Sequence, residues 1–311
     1  MSQDNPAITA ANAGTVQLGD CTVNRLGYGA MRITGKGIWG PPADRNAAFK
    51  TLRRVVELGV NFIDTADSYG PNVSEELIAE ELTPYPPGLV IGTKGGWERV
   101  GPGQWIHNAS PKHLQAAVEG SLKRLRLHRI DLYQLHIPDP AVSFDASMET
   151  LAGLQEQGKI RHIGLDEVTP AEIEDAEKIV PIVTVQNRYS LADRRHEETL
   201  TWCERRGIGF MPWYPFAGGK MLKPDHPGVP TDRSWSVGWQ PAAQALSRIA
   251  ARHGATLPQL SLAWLLHRSP VLLPIPGTSK VAHLEENVAA AQLHLTAEDW
   301  AEVESAAKSV T

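Results

Sequence analysis

Short apolar runs recur along the chain at 25–28, 61–63, 89–92, 130–135, 160–164, 182–186, 208–212 and 271–275, flanked by Gly or Pro. Between them lie segments with apolar residues at helical spacing, at 46–57, 75–82, 111–125, 146–157, 170–179, 195–206, 241–252, 258–266 and 281–291. Strands covered on both faces read as continuous apolar runs and helices over a sheet read with a period of about 3.6, so this alternation predicts βαβ units around a parallel sheet. Eight strands, each followed by a helix and with no linker between them, predict an α/β fold of the (β/α)8 TIM-barrel type in one domain, residues 15–311. A small hairpin is expected at 15–23, and an extra C-terminal helix from Thr296 to about Lys308. Residues 1–14 read as a flexible polar tail. Ser110-Pro111 and Thr169-Pro170 mark helix starts, and Gly59 and Gly158 mark helix ends. The Trp-, Pro- and Gly-rich stretch 213–239 is long for a βα connection and reads as a candidate lid.

Composition narrows the function classes. Of 311 residues, 42% are hydrophobic and 21% charged, which excludes collagen-like, disordered and coiled-coil chains. The formal charge of −5 leaves no basic excess, so neither nucleic acid nor an anionic membrane surface is an expected partner. Cys21 and Cys203 are too few and too far apart for a disulfide framework or a thiolate metal site, and a reducing cytoplasm is expected. No run nears the ~18 apolar residues of a membrane helix, and 1–14 lacks the basic and apolar segments of an export signal.

Several familiar motifs are absent. Gly27-Tyr28-Gly29-Ala30-Met31-Arg32 lacks the third glycine of a dinucleotide fingerprint, and Gly29 to Gly35-Lys36 has the wrong spacing for a phosphate loop. His196-Glu197 begins like a zinc helix without the second His, so no metal is expected. There is no G-x-S-x-G elbow, and no tyrosine has a Lys four residues on.

In a closed barrel the active site lies at the C-terminal ends of the strands. Asp64 ends the second run, Tyr69 follows in its loop, Lys94 ends the third and His136 the fourth. Together they suit carbonyl reduction: Tyr69 donates a phenolic proton, Lys94 paired with Asp64 stabilises the tyrosinate, and His136 donates to the carbonyl oxygen as charge builds on it. Unit charges ~4 Å apart attract by about 4 kcal/mol at an effective dielectric of ~20, enough to draw a phenol that starts near ~10 toward neutrality. An isomerase or aldolase using Lys94 as an imine-forming amine is the competing barrel chemistry, although an Asp64 partner would keep that amine protonated.

The spaced set Gly59–Gly70 (GVNFIDTADSYG), Thr93-Lys94, Leu135-His136, Gly164-Leu165, Val185-Gln186-Asn187 and Ile275-Pro276-Gly277-Thr278 resembles the aldo-keto reductase family over nearly the whole chain. That resemblance implies a (β/α)8 barrel binding NADPH without a dinucleotide fingerprint, with NADH also possible, and a tetrad on Asp64, Tyr69, Lys94 and His136. It implies cofactor contacts at Gly29, Ala30, Met31 and Asp64, at Gln186 on the nicotinamide carboxamide, and at Trp213 stacked on the ring. The pyrophosphate path would run along Tyr214, Pro215, Phe216, Gly218, Gly219 and Lys220. The adenosine end would fall on Gly277, Thr278, Ser279, Lys280, His283, Glu286 and Asn287. Asp166-Glu167 stands where the family often has Ser-Asn; a carboxylate accepts from the carboxamide but cannot donate to it. Gly277-Thr278-Ser279, with 27–35 and 213–220, is similar to bacterial members that include pyridoxal reductase.

The substrate pocket is expected between Met31, Trp39, Trp97, Trp105, His107, Trp235 and Trp239, which points to an apolar or aromatic small-molecule carbonyl. A monomer or weak oligomer is expected. Potassium-channel β subunits resemble the same family, so a cofactor-sensing regulatory subunit is the alternative from another class.

Overall fold

A computed structural model describes residues 8–216 and 239–308. A hairpin of β1 (Thr15–Leu18) and β2 (Cys21–Asn24) opens it, turning through Gly19 at φ 63°. The sheet then takes β3 (Tyr28–Gly29), β4 (Phe62–Asp64), β5 (Val90–Gly95), β8 (Ile130–Leu135), β9 (Ile160–Asp166), β10 (Ile182–Gln186) and β11 (Gly209–Phe210) in sequence order, every pairing parallel. Residues 271–275 form no regular strand, because Pro274 and Pro276 have no N–H to offer a ladder. They still close the barrel: Phe210 N donates to Val271 O and Leu273 N to Phe210 O, while Gly27 N donates to Pro274 O, each at 2.9 Å. The eighth strand of the barrel is thus an irregular staple, and the first is shorter and later than the apolar run 25–28.

Helices α1 (Arg45–Glu57), α2 (Val73–Leu82), α3 (Pro111–Leu125), α4 (Phe144–Glu156), α5 (Pro170–Glu177), α6 (Glu197–Arg206), α7 (Trp239–Arg252), α8 (Leu257–Arg268) and α9 (Val281–Ala289) surround the sheet, and α10 (Ala297–Lys308) is the extra one. Ser110 caps α3 by accepting from His113 N, and Thr169 closes a reciprocal capping box with Glu172 on α5. No described helix is long and apolar enough to cross a membrane.

Strand periodicity divides the core in two. Ile63, Ile91, Tyr133 and Ile163 point outward beneath the helices. Phe62, Val90, Leu132, Met211, Leu273 and Ile275 point inward and pack against Val16, Leu18, Cys21 and Val23 of the hairpin, which therefore seals the barrel from its N-terminal end. Two segments differ from the reading of the sequence. Ala10–Ala13 forms a 3-10 turn, with Ala10 buried and its N–H on Leu58 O, so the described part of 1–14 is packed rather than a free tail. Between β5 and α3 the chain forms an unexpected second hairpin, β6 (Trp97–Gly101) and β7 (Gln104–His107).

Candidate functional site

Continuing inward-facing alternation one step beyond the apolar layer places polar groups at the open end of the barrel. Two residues after Phe62 stands Asp64, two after Leu132 stands Gln134, and β5, β9 and β10 end their inward rows at Lys94, Asp166 and Gln186. All five are at most 3% exposed. Gly164 makes room among them, since a Cβ there would lie 2.1 Å from Thr184 Oγ1 and 2.9 Å from Gln134 Cγ.

Lys94 Nζ donates to Asp64 Oδ2 at 2.6 Å and to Thr65 O at 3.0 Å. The other carboxylate oxygen of Asp64 accepts from Gln134 Nε2 at 3.0 Å and Gln186 Nε2 at 3.1 Å. Burial works against the Lys94 ammonium, but Asp64 and the neighbouring acids lift its pKa above the ordinary value. A lysine held charged in this way cannot form an imine, which removes the aldolase chemistry.

Tyr69 is carried over this pair by the 65–72 loop. Thr65 N on Gly92 O and Asp67 N on Lys94 O extend the pairing with β5, Thr65 Oγ1 donates to Ser74 Oγ at 2.7 Å, and Gly70 makes the exit turn at φ 102°. Lys94 Nζ lies 5.4 Å from the centre of the Tyr69 ring. The ring meets His136 edge-on with centroids 5.8 Å apart. All four expected tetrad residues therefore converge. The expected drift of the phenol toward neutrality does not occur. Burial pushes Tyr69 up to about 12; Lys94 opposes that, but its charge is largely cancelled at short range by Asp64. Burial, seconded by the charge of Lys94, holds His136 well below the usual imidazole range, so its ring is neutral.

On the other side of Lys94, burial drives the Asp166 carboxyl well above the usual carboxylate range, with Lys94 opposing and Asp64 and Glu167 adding to the rise. Its Oδ1 is sealed from solvent and has no partner. Burial thus favours the protonated carboxyl, the form that can donate as well as accept. Glu167, at φ 54°, turns outward, and its Oε1 accepts from Trp213 Nε1 at 2.5 Å and from Arg188 N at 2.9 Å. It fixes the indole of Trp213 at the mouth. Tyr214, at φ 68°, lies beside that indole with ring centres 5.2 Å apart, and half-buried Phe216 packs against the core.

The remaining cofactor candidates form a second group across the barrel seam. Gly29 opens the turn Ala30–Ile33, which holds Ala30 and Met31. A Cβ on Gly29 would lie 2.7 Å from Ile275 O, and one on Gly277 would lie 2.7 Å from Gly29 O, so the two backbones touch. Tyr28 Oη donates to Thr278 O, and Thr278 Oγ1 accepts from Lys280 N at 3.1 Å. Ser279, Lys280 and His283 are exposed at the start of α9, whose first turn has no side-chain cap. Asn287 is buried on the same helix, and Glu286 Oε1 accepts from Thr256 Oγ1 at 2.6 Å. Gly218, Gly219, Lys220 and Trp235 lie outside the described residues, as does the side chain of Trp239, whereas Pro215 is buried in the turn after Tyr214.

The substrate-side tryptophans gather over Tyr69 and His136. Trp97 sits 6.4 Å from His136, 5.7 Å from Trp105 and 4.4 Å from His107. Trp39 bridges to Gly70 beside Tyr69. Four residues of this site were not singled out from the sequence: Gln134, Ser68 at 3.5 Å from His136 Nδ1, Arg188 over the Trp213 and Tyr214 rings, and Arg99. Gln134 was accessible, because it stands two residues before His136 on one inward row.

Three comparisons with known proteins agree on one kind of protein. The Aldo/keto reductase family model matches residues 25–308. An uncharacterised oxidoreductase of Schizosaccharomyces pombe is 47% identical over 97% of this chain and 93% of its own. Pyridoxine 4-dehydrogenase of Escherichia coli is 43% identical over 92% and 96%. Among solved structures, a glycerol dehydrogenase from Gluconobacter oxydans superposes with a TM-score of 0.83 at 26% identity, over 94% and 95% of the two chains. A Klebsiella pneumoniae aldo-keto reductase in complex with NADPH gives 0.74 at 25% identity, over 94% of each.

Proposed function

The chain belongs to the aldo/keto reductase family, and from that premise we propose that Asp64, Tyr69, Lys94 and His136 carry out an NADPH-dependent reduction of aldehydes or ketones to alcohols. The class of reaction and the cofactor follow from the family and from its NADPH-bound neighbour. The observation that supports the residue roles is the contact of a fully buried, charge-satisfied Lys94–Asp64 pair with the Tyr69 ring beside a neutral His136.

The residues present fit the cofactor. NADPH supplies the hydride when bound. Asp166 has an unpartnered buried oxygen that can accept from an amide such as the nicotinamide carboxamide, and burial favours the protonated form that could also donate to it. Gln186 spends its Nε2 on Asp64 and Gln134, and its Oε1 is the atom that would accept from that amide. Glu167 orients Trp213 for stacking. Lys280, with Ser279, Thr278 and the free N–H groups that begin α9, suits a phosphate as a point charge at a helix N-terminus.

His136, neutral, donates a hydrogen bond to the substrate carbonyl oxygen and aligns it with the Tyr69 hydroxyl. Tyr69 gives its proton to that oxygen as negative charge develops there, and Lys94 stabilises the tyrosinate left behind. A donor near 12 stays protonated across the physiological range and is still far more acidic than the alcohol formed, so proton transfer to the developing alkoxide runs downhill.

A pH profile follows. Reduction requires Tyr69 protonated and His136 neutral, and with one pushed up to about 12 and the other held low, kcat/KM should be flat from about pH 7 to about pH 10. Alcohol oxidation requires Tyr69 deprotonated and should rise about tenfold per pH unit over the same range. An ionisation near neutrality in the reductive limb would mean that Tyr69 is not the donor.

The reading as a whole is tested by titrating the protein with NADPH and NADH while following tryptophan fluorescence. Saturable quenching that prefers NADPH, and a preference that collapses in Lys280→Ala, is the expected result. Absence of binding by either nucleotide would overturn it. The aromatic wall of Trp39, Trp97 and Trp105, together with the relative named pyridoxine 4-dehydrogenase, favours a ring-bearing aldehyde as substrate. The reading takes the protein as a cytoplasmic monomer or weak oligomer acting on small molecules.

A further inference from the structure

The hairpin of β6 and β7 has two faces of different chemistry. Glu98, Val100 and Ile106 point to solvent, whereas Trp97, Arg99 and Trp105 alternate with them and are half-buried. Register pairs Arg99 with Trp105 and Trp97 with His107, so these four form one inner surface. Trp97 places that surface against His136, so Arg99 looks toward the mouth of the same site.

The Arg99 guanidinium lies 3.7 Å from the Trp105 ring centre and 5.6 Å from that of Trp39. Nε donates to Gln104 O at 3.2 Å, one terminal nitrogen to Ser68 O at 2.9 Å and the other to Gly37 O at 3.3 Å. The group is thus pinned between three segments of the rim, one of them next to Tyr69. Its three bonds all go to neutral carbonyls, which leaves two of the five guanidinium N–H groups uncommitted. Among the described residues no carboxylate pairs with it, since the adjacent Glu98 turns outward to Asn108. A fixed, uncancelled positive charge between two aromatic faces, in a protein of net charge −5, is a recognition element rather than a solubilising one.

We propose that Arg99 is a specificity-determining residue that selects aromatic carbonyl substrates bearing an anionic substituent, a carboxylate or a phosphate ester, on the ring. This rests on the reading of the site as a carbonyl reductase. The indoles of Trp39 and Trp105 and the guanidinium take the ring face and its anionic group, and the carbonyl end reaches Tyr69 and His136.

Two aldehydes of similar shape separate charge from fit: 4-formylbenzoate and 4-methylbenzaldehyde. In the native enzyme with NADPH, kcat/KM should favour the formylbenzoate. Arg99→Met should lower the ratio of the two kcat/KM values about tenfold, the effect of losing one charge-assisted contact. Arg99→Lys, which keeps the charge but not the fork, should retain most of the preference. A fall of both kcat/KM values with their ratio unchanged would mean that Arg99 holds the hairpin and does not read the charge, which overturns the proposal. An unchanged ratio in Arg99→Met, or a ratio lost equally in the Lys variant, would overturn the proposal. Quenching of tryptophan fluorescence by each aldehyde in native and variant protein reads the same discrimination without turnover. If neither aldehyde is reduced, the carbonyl-reductase reading fails, and this binding ratio still decides the role of Arg99.

Discussion

Tyr69→Phe should lower kcat for carbonyl reduction by about 10²–10⁴-fold, the range for removing a positioned general acid, with the NADPH dissociation constant unchanged. The substitution deletes one hydroxyl from a ring that is 7% exposed and leaves its packing on His136 and above Lys94 in place. Among the described residues that touch the Tyr69 ring, neither His136 nor Lys94 is suited to take over the proton. His136 is neutral and would become strongly basic by giving its proton up, while Lys94 is tied to Asp64 and Thr65. Single-turnover kinetics at saturating NADPH would measure the chemical step directly. A loss smaller than about tenfold would assign the proton to another group.

Lys94→Met should cost about 3–5 kcal/mol of folding stability, because it strands a buried carboxylate in place of a satisfied ion pair. Asp64 is 2% exposed and would keep only the two glutamine amides. The methionine fills the lysine's volume, so the loss reports charge rather than a cavity. The double variant Asp64→Asn with Lys94→Met removes both charges and should recover most of the stability, though not activity. Urea unfolding of native, single and double variants gives the comparison, with midpoint and slope read separately. A single variant as stable as the native protein would mean that the pair is not the electrostatic floor of the barrel. The same variant should also lose turnover, since the tyrosinate formed in reduction would have no cation beside it.

The runs 130–135 and 182–186 match β8 and β10 at both ends, because those strands are buried along nearly their whole length and are dominated by apolar residues. The first and last strands were harder to place for a physical reason. Pro274 and Pro276 remove donors from the ladder of the last, and the first keeps only Tyr28 and Gly29 in regular pairing with β4, although both segments lie where a strand should. The tetrad was legible because its spacing follows from strand ends that any closed barrel aligns. The second hairpin was missed although its sequence carries a signal, since strand-favouring Trp, Val and Ile stand on either side of the turn Gly101-Pro102-Gly103. Reading that stretch as loop hid Arg99, whose role depends on which face it occupies. The ionisation of Tyr69 and Asp166 was read with the wrong sign for one cause: sequence shows which charges are near, but desolvation is set by packing, and here it outweighs the lysine.

The seam between the first and eighth segments has a bearing on the life of the protein between turnovers. Its two sides share the backbone bond from Gly27 to Pro274, with Arg25 and Tyr28 reaching across from their side chains to the oxygens of Leu272 and Thr278. Every other junction in the sheet is a run of parallel strand pairing or, at Phe210, a pair of backbone bonds. The candidate contacts for the two halves of NADPH lie on opposite banks of this seam, Gly29 and Met31 on one and Thr278 and Lys280 on the other. A nucleotide spanning them would act as a clasp as well as a reagent. At a hundredfold excess over its dissociation constant it would add about 2.7 kcal/mol to the folded state, so the cell's nucleotide supply would govern how long the protein lasts as well as how fast it works.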